Sequence, residues 1–329
     1  MSVAIIGGSG FIGTRLARRL AAAGIPFTIV DKARSGSYPA QGAVVDVRDR
    51  DALTAALGGA SAIVHLAAEH RDDVRPRTLY DDVNVRGTEH VVAAAEANGI
   101  DTIVFTSSVA IYGFAAPDTD ESGPIAPFND YGRTKAAAEE VLRAWQVRDA
   151  ARRTLAVIRP TVVFGEGNRG NVYNLLHQIA GGRFVMIGAG HNVKSMAYVE
   201  NVAALLEAAL AWAPGLHVYN YIDKPDMDTG TLVRLARSEL GRGSGLGPRL
   251  PYRVGYVLGL AADGVARLTR RRFPISAIRV RKFAATTQFA TSIAATGFHP
   301  PIGLEEALRR TIRHEFVEPS EPAQLFFSE

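Results

Sequence analysis

Tyr131 and Lys135 are the two residues whose types and spacing best suit proton transfer. They lie four positions apart in the segment Tyr131-Gly132-Arg133-Thr134-Lys135, so on a helix they would share one face. An adjacent ammonium group lowers the pKa of a phenol from about 10 towards neutrality. A phenolate held in this way can take a proton from a carbinol while a hydride leaves the same carbon. Such a pair also occurs as ordinary surface residues, so the assignment depends on the elements around it.

Ser108 would add a hydrogen-bonding group to this pair if the strand before it ends at the right edge of a sheet. The apolar run Thr102 to Thr106 predicts a strand, and Ser107 and Ser108 follow directly. Open α/β sheets bind ligands at the carboxyl ends of their strands. The predicted catalytic set is therefore Ser108, Tyr131 and Lys135, with Ser108 bonded to the reacting oxygen.

A glycine-rich turn near the start of the chain predicts a dinucleotide site. Its sequence is Gly7-Gly8-Ser9-Gly10-Phe11-Ile12-Gly13, and it lies between an apolar strand and a predicted helix. Gly7 permits the tight turn, and Gly10 lets a pyrophosphate approach the helix N-terminus. Gly13 lets the helix pack close to the sheet.

Asp31 indicates which dinucleotide binds. It ends the second predicted strand, where a carboxylate can accept hydrogen bonds from the adenosine ribose. The same carboxylate would repel a 2′-phosphate, so NAD is favoured. Lys32 and Arg34 lie close enough in sequence to hold such a phosphate, which leaves NADP open.

The order of strand and helix signals predicts an α/β protein. Strands and helices alternate through the first half, as in a Rossmann-type doubly wound parallel sheet, with apolar strands buried on both faces. We predict a NAD-binding domain over residues 1–165, joined by returning segments at about 195–221. Residues 166–329 would form mainly a smaller C-terminal α/β domain that binds the substrate.

Composition narrows the class further. The chain has 329 residues, of which 47% are hydrophobic and 21% charged, as is usual for a globular protein. It has no cysteine, which excludes thiolate metal ligands and fits the cytoplasm. We expect no export signal and no membrane span, because no apolar run reaches roughly 20 residues. No metal and no nucleic-acid partner is predicted.

Short motifs continue along the chain in a fixed order. They are Gly7 to Gly13, Asp46-Val47, His65-Leu66-Ala67-Ala68, Asn84-Val85-Arg86-Gly87-Thr88, Ser107-Ser108 before Ile111-Tyr112-Gly113, Tyr131 to Lys135, and Arg159-Pro160. This order resembles the extended short-chain dehydrogenase/reductase family, in its NAD-dependent nucleotide-sugar epimerase and dehydratase group. The resemblance covers essentially the whole chain and is most specific up to Gly165.

The resemblance implies roles for single residues. Asp46 and Val47 would meet adenine, Asn84 would support the region around Lys135, and Lys135 would also bind the nicotinamide ribose. The implied cofactor-binding set is Gly7, Gly10, Phe11, Ile12, Gly13, Asp31, Lys32, Asp46, Val47, Leu66, Ala67, Ala68, Asn84, Ser107, Tyr131, Lys135 and Pro160.

The residues after the serines indicate which branch of the family is present. Dehydratases and decarboxylases of this group carry acids there, whereas this chain has Val109-Ala110-Ile111. We therefore predict an NAD-dependent epimerase that oxidises and re-reduces C4 of a UDP-hexose or UDP-N-acetylhexosamine. The alternatives are a 4-keto-sugar reductase, a 3β-hydroxysteroid-type dehydrogenase, and a non-catalytic NAD(P)-binding regulator.

Two residues of the second half resemble the substrate contacts of sugar epimerases: Asn174 would contact the nucleotide, and Lys194 would face the diphosphate. The second diphosphate arginine of those enzymes has no clear counterpart, although Arg279 and Arg281 are candidates. Asn174, Lys194 and Arg279, with Ser108, form the predicted site for a nucleotide-sugar substrate. A capped helix and a surface lysine are the alternative interpretations of Asn174 and Lys194.

The segment 252–272 is apolar and then basic. We interpret Tyr252 to Leu268 as a buried core helix with the basic residues Arg270, Arg271 and Arg272 after it, and so expect no membrane contact. The alternative is a helix lying on an anionic membrane, which would suit a lipid-linked sugar or a hydroxysteroid. The resemblance also implies a homodimer through the helices near Val83 to Ala97 and Ala136 to Arg148, with faces such as Val91, Val92 and Ala95.

Overall fold

The protein is described from a computed structural model. The structure describes residues 1–71, 74–269, 276–318 and 324–327, with only the backbone described for residues 266–269. The predicted basic residues Arg270, Arg271 and Arg272 therefore lie outside the described residues.

The first half alternates strands and helices, as predicted. In chain order the elements are β1 (Val3–Ile6), α1 (Phe11–Ala22), β2 (Phe27–Asp31), β3 (Gly42–Val44), α2 (Arg50–Ala56), β4 (Ala62–His65), α3 (Thr78–Tyr80), α4 (Gly87–Ala97), β5 (Thr102–Thr106), α5 (Asp130–Val147) and β6 (Thr154–Pro160). A π-helical stretch, Asp81–Arg86, joins α3 to α4, and short 3-10 turns cover Pro39–Gln41 and Val109–Tyr112.

The second half has shorter strands. Its elements are β7 (Val162–Phe164), α6 (Asn171–Ala180), β8 (Met186–Ile187), β9 (Val193–Lys194), β10 (Met196–Tyr198), α7 (Val199–Ala209), β11 (Gly215–Tyr221), β12 (Met227–Asp228), α8 (Thr229–Glu239), β13 (Arg249–Leu250), α9 (Tyr252–Thr269), α10 (Ala277–Ala284) and α11 (Leu304–Ile312), with a 3-10 turn at Ile293–Thr296 and a π-helical end at Arg313–Val317.

Seven strands form one parallel sheet in the order β11-β6-β5-β4-β1-β2-β3. All residues of β1, β4 and β6 are buried, which explains their unbroken apolar sequences. The strand order changes direction between β1 and β4, and a cleft forms at the carboxyl edge beside such a point. The predicted Rossmann-type fold is confirmed.

Helices cover both faces of the sheet. On one face, Leu16 and Leu20 of α1 pack with Leu205 and Leu206 of α7 in one apolar cluster. On the other face, a second cluster contains side chains of α2, α4 and α5, including Trp145. Burial of these apolar side chains fixes the position of each helix on the sheet, with its N-terminus at the carboxyl edge of the strands.

The second half builds a separate apolar cluster. It contains side chains of α6, α8 and α11 together with Met196 and Tyr198, and Phe11 and Ile12 pack against it. In contrast, β11 pairs with β6 and so belongs to the central sheet. The division into two domains stays a prediction, although the position of β11 agrees with a returning segment.

Two expectations about helix faces are wrong. Val91, Val92 and Ala95 are at most 7% exposed and lie in the core, so they cannot form the face of a dimer. The helix α9 is not a buried core helix, because Val257 and Leu258 are 61% and 51% exposed. In both cases the periodic apolar pattern is real, but the direction of its face depends on tertiary packing.

Candidate functional site

The glycine turn leaves an open anion-binding end at α1. Gly7 has a φ of +81°, and a Cβ there would lie 2.6 Å from the backbone nitrogen of Ala67. A Cβ on Gly13 would lie 2.5 Å from the Cα of Gly8. No side chain caps the helix at Gly10, and no acidic residue lies in its first turn. The free N–H groups around Phe11 and Ile12 therefore suit the pyrophosphate of a dinucleotide.

Asp31 and Lys32 lie where the adenosine ribose would bind. The Asp31 carboxylate accepts hydrogen bonds from the backbone N–H groups of Ser9 and Ala33, each at 3.0 Å. The Lys32 Nζ is paired with the Glu69 carboxylate at 2.9 Å. Because Glu69 engages this ammonium, Lys32 is a poor partner for a 2′-phosphate. The geometry therefore favours NAD.

We expect NAD to bind at least about tenfold more tightly than NADP, which corresponds to about 1.4 kcal/mol. Isothermal titration of the cofactor-free protein measures both dissociation constants. Asp31→Ser should reduce the preference, because it removes the charge that repels the 2′-phosphate. Asp51→Ser, in the first turn of α2, is the control and should leave the ratio unchanged. Equal affinities in the parent protein would contradict this assignment of Asp31.

Asp46 and Val47 follow β3 on the far side of the same edge. Arg48 donates to the Asp46 carboxylate through its side chain and backbone, and the side-chain hydrogen bond holds the pKa of Asp46 below its usual range. Val47 is buried, and a Cβ on Gly87 would lie 2.8 Å from its Cγ2. These residues form a wall of the cleft, and their contact with adenine stays a prediction.

Asn84 joins the loop after β4 to the catalytic helix. Its Oδ1 accepts from the Glu69 backbone N–H at 2.7 Å, and its Nδ2 donates to the Glu69 carbonyl and to the Thr134 Oγ1, both at 2.9 Å. Leu66 donates its N–H to the Ile6 carbonyl at 2.8 Å, so this loop is also fixed to β1. The stretch from Leu66 to Ala68 is thereby held between the glycine turn and α5.

His65 supports the same region in its neutral form. Its ring is fully buried, and burial lowers its pKa to about 3. The Nε2 lies 3.1 Å from the Thr88 Oγ1, and that hydroxyl donates its one proton to the Asn84 carbonyl. The Nε2 must therefore donate, which fixes the tautomer. His65 is a structural donor below Asn84.

The structure places Ser108, Tyr131 and Lys135 at the carboxyl edge of β5. Ser108 follows β5, and its Oγ accepts from the Ala110 N–H at 3.1 Å. Tyr131 is the second residue of α5, which begins after Asn129 caps the Gly132 N–H at 2.9 Å. Both side chains are partly exposed, so a substrate can reach them.

Lys135 lies one turn further along α5 and is buried. Its Nζ donates to the Thr106 carbonyl at 2.7 Å and lies 4.5 Å from the centre of the Phe105 ring. Desolvation lowers its pKa to about 7, and the charge of Glu139 opposes that shift. An ammonium has three donors, and Thr106 takes one of them. The others suit a ribose hydroxyl, as the resemblance implies.

A buried network behind the site was not predicted from the sequence. Glu139 accepts from the Ser107 Oγ at 2.6 Å and from both the Nε and Nη2 of Arg159, at 2.9 and 2.6 Å. Arg159 also donates to the Tyr112 hydroxyl at 2.7 Å, and Tyr112 donates to the Asn220 Oδ1 at 2.8 Å. Ser107 therefore faces this network. Glu139 lies four residues after Lys135, a spacing that could have indicated it.

The predicted substrate residues lie on the second half of the chain. Lys194, in β9, donates from its Nζ to the Lys282 carbonyl at 3.0 Å, and burial lowers its pKa to about 8. Asn174 is exposed on α6, and Arg279 is exposed on the first turn of α10. Pro160 ends β6 opposite Tyr221. The roles of Asn174, Lys194, Arg279 and Pro160 stay predictions.

Two aromatic rings border the entrance to the site. Phe114 and Phe128 stack with their ring centres 4.7 Å apart, although Phe114 is 85% exposed. The Lys282 Nζ lies 6.0 Å from the Phe128 ring centre, which brings the end of α10 close to the N-terminus of α5. Phe128 comes three residues before Tyr131, so these contacts border the catalytic helix.

The segment 324–327 lies across the glycine turn. The Phe326 ring centre is 5.5 Å from that of Phe11, and the Gln324 Nε2 donates to the Ser9 carbonyl at 3.5 Å. Phe326 also exchanges backbone hydrogen bonds with the loop after β7, at Gly167 (2.9 Å) and Arg169 (2.7 Å). The segment thus connects the cofactor turn to the second half of the chain.

Comparison with known proteins decides the family. The model of the NAD dependent epimerase/dehydratase family matches residues 3–221, which is about two thirds of the chain. The chain belongs to this family. The predicted family and the predicted cofactor, NAD, are therefore confirmed. The uncapped N-terminus of α1 fits the pyrophosphate of that cofactor.

One family member covers the whole chain. The N-acetyl-alpha-D-glucosaminyl-diphospho-ditrans,octacis-undecaprenol 4-epimerase of Escherichia coli O157:H7 is 48% identical over 330 aligned residues, which are 100% of this chain and 99% of that protein. Among solved structures, the UDP-N-acetylglucosamine 4-epimerase of Bacillus cereus has a TM-score of 0.74 at 16% identity, with 95% of this chain and 98% of that chain covered. The Thermus thermophilus UDP-glucose 4-epimerase with NAD has a TM-score of 0.69 at 21% identity, with the same coverage. The two structures share the fold.

Proposed function

We propose that the protein is an NAD-dependent 4-epimerase of a sugar linked through a diphosphate, with an N-acetylglucosaminyl diphosphate as the preferred substrate. The observation that supports this most strongly is the position of Ser108 at the end of β5 beside the first two turns of α5, which carry Tyr131 and Lys135. The relative of 48% identity acts at the same sugar carbon. No acidic residue lies in the turn Val109–Tyr112, where an elimination would need one.

Each catalytic residue has one task in this reaction. Tyr131 takes the proton from the C4 hydroxyl and returns it to the C4 oxygen after the sugar has rotated to present its opposite face. Ser108 donates a hydrogen bond to the same oxygen. When held by the glycine turn, Asp31 and Lys135, NAD would supply the hydride acceptor for C4 and then the hydride donor for the opposite face of the sugar. Lys135 holds the ribose and places positive charge near Tyr131. The sum is an inversion at C4 with no net oxidation.

The group beyond the diphosphate is proposed from the relative. A UDP-sugar is the substrate class that the sequence predicts, whereas the substrate named for the Escherichia coli relative carries a polyprenol on the sugar diphosphate. A polyprenyl diphosphate sugar keeps the two features that Lys194 and Tyr131 would recognise, the diphosphate charge and the C4 hydroxyl. We therefore propose the lipid-linked sugar as the first substrate to test.

The test follows the sugar itself. We expect the purified protein to convert an N-acetylglucosaminyl diphosphate on a short isoprenoid into its N-acetylgalactosaminyl isomer without added NADH. Chromatography of the sugar after acid release gives the ratio of isomers, and the reverse reaction should reach the same ratio. The UDP-sugar is assayed in parallel. A stoichiometric change in cofactor absorbance with one oxidised or reduced product would instead identify a one-way dehydrogenase or reductase.

The setting of the enzyme stays a proposal. We place the reaction in the cytoplasm, which agrees with the absence of cysteine. A homodimer through α4 and α5 also stays a prediction, but it would need exposed positions such as Glu89, Ala144 and Val147, because Val91, Val92 and Ala95 are in the core.

A further inference from the structure

The helices α9 and α10 pack on each other through small residues. A Cβ on Gly259 would lie 2.7 Å from the Ala277 backbone nitrogen, and a Cβ on Gly255 would lie 3.0 Å from the Ile187 side chain. The Asp263 carboxylate accepts from the Ala277 N–H at 3.0 Å, at the start of α10. These contacts fix which side of α9 is covered, and the opposite side is left to solvent.

The uncovered side of α9 is apolar over several turns. Val254, Val257, Leu258, Ala261 and Val265 follow the spacing of one helix face, and all are exposed. The exposed fractions of the four larger side chains lie between 45% and 61%. Ile278 of α10 is 55% exposed as well. A continuous apolar surface of this kind on a folded protein marks a contact with a partner or a membrane.

Basic residues far outnumber acidic ones in the sequence of α9 and α10 and the residues beside them. Asp263 is the single acid between residues 249 and 282, and it already caps α10. The same stretch of sequence contains nine basic residues, namely Arg249, Arg253, Arg267, Arg270, Arg271, Arg272, Arg279, Arg281 and Lys282. Of these, Arg249, Arg253, Arg279, Arg281 and Lys282 are exposed in the structure.

We propose that the exposed face of α9, with the exposed basic residues Arg253, Arg279, Arg281 and Lys282, docks the enzyme on the surface of an anionic phospholipid bilayer. Apolar side chains would enter the boundary between headgroups and acyl chains, and arginines would pair with lipid phosphates. A second protein would need acidic groups to match this charge, and a second copy of the chain would bring basic residues against basic residues. No helix in the described ranges is long and apolar enough to cross a bilayer, so the contact is peripheral.

The docking surface is connected to the catalytic helix. The Lys282 carbonyl at the end of α10 accepts from the Lys194 ammonium, and the Lys282 ammonium lies over Phe128, just before Tyr131. A sugar diphosphate whose polyprenol stays in the bilayer would therefore enter beside α10. This route of entry rests on the proposed function, but binding of the protein to a membrane can be measured without any turnover.

The experiment compares two double variants in vesicle co-sedimentation. Val257→Glu with Leu258→Glu places two charges on the exposed face of α9, where folding does not need the apolar groups. Val44→Glu with Leu216→Glu changes residues that are 62% and 43% exposed on the edge strands β3 and β11 and is the control. We expect the parent and the control to bind phosphatidylcholine vesicles that contain about 30 mol % phosphatidylglycerol, and the α9 variant to bind at least about tenfold more weakly.

Turnover separates this proposal from the proposed function. The α9 variant should epimerise a short, water-soluble isoprenyl diphosphate sugar at the parent rate, and lose rate only with the long-chain substrate in vesicles. The docking proposal is contradicted if the parent protein does not bind anionic vesicles, or if the α9 variant binds them as tightly as the control. If vesicle binding behaves as expected but no diphosphate sugar is epimerised, the docking surface stands and the proposed function is wrong.

Discussion

Tyr131→Phe is expected to lower kcat by about 10²–10⁴-fold, the usual contribution of a general acid–base group. The substitution removes one oxygen from a partly exposed side chain on the first turn of α5. The cap from Asn129 to the Gly132 N–H and the buried position of Lys135 do not involve the phenol. The fold and the affinity for NAD should therefore survive.

Steady-state kinetics and NAD titration of the variant check this result together. Tyr219→Phe is a matched control, because that phenol lies on the edge strand β11 and its ring packs against Trp212. A rate within about threefold of the parent would mean that Tyr131 only begins a helix, and would reopen the regulator interpretation. Loss of NAD affinity together with kcat would point to a disturbed α5 instead.

Glu139→Ala is expected to lower the free energy of unfolding by about 3–5 kcal/mol, because it leaves a buried charge without its partner. Glu139 and Arg159 are both 3% exposed and share two hydrogen bonds. The variant also removes the acceptor of the Ser107 hydroxyl. Urea denaturation followed by circular dichroism measures the difference.

The neighbouring Glu140→Ala is the control for this prediction. The Glu140 side chain is 78% exposed, and its contact with Arg143 is a long one of 3.8 Å, so an effect within about 1 kcal/mol is expected. Equal losses in the two variants would show that helix propensity, and not the buried pair, determines the result. A double variant, Glu139→Leu with Arg159→Leu, should recover part of the loss, since both charges are then absent.

Local patterns in the sequence predicted the parts of the site that local structure determines. The glycine turn, Asp31 at the end of β2 and the Tyr131–Lys135 spacing each depend on one strand, one turn or one helix face. The carboxyl-edge rule then brought Ser108 to the same place, because all seven strands of the sheet run in parallel. These elements were predictable within a few residues.

Other parts depend on contacts that no local pattern shows. Glu139 and Arg159 are 20 residues apart, and the sequence did not predict their ion pair. A charged residue can be predicted to be buried only when its partner is known. The apolar periodicity of α4 and α9 correctly predicted an apolar face on each helix. The predicted surroundings were wrong, because the α4 face expected at a dimer interface lies in the core and α9, expected in the core, has an apolar face exposed to solvent. The helix α10 went unnoticed in a basic stretch.

The contact between the segment 324–327 and the glycine turn has a consequence for how the protein is produced. Phe326 packs on Phe11 and Gln324 contacts Ser9, so a polypeptide fused directly after Phe327 would begin beside the cofactor cleft. Met1 is 61% exposed and precedes β1, whose first residue lies at the opposite edge of the sheet from the site. An affinity tag before Met1 would therefore lie far from the NAD site. A tag after Phe327 would lie beside that site, and an assay of the tagged protein would include the effect of the tag on activity.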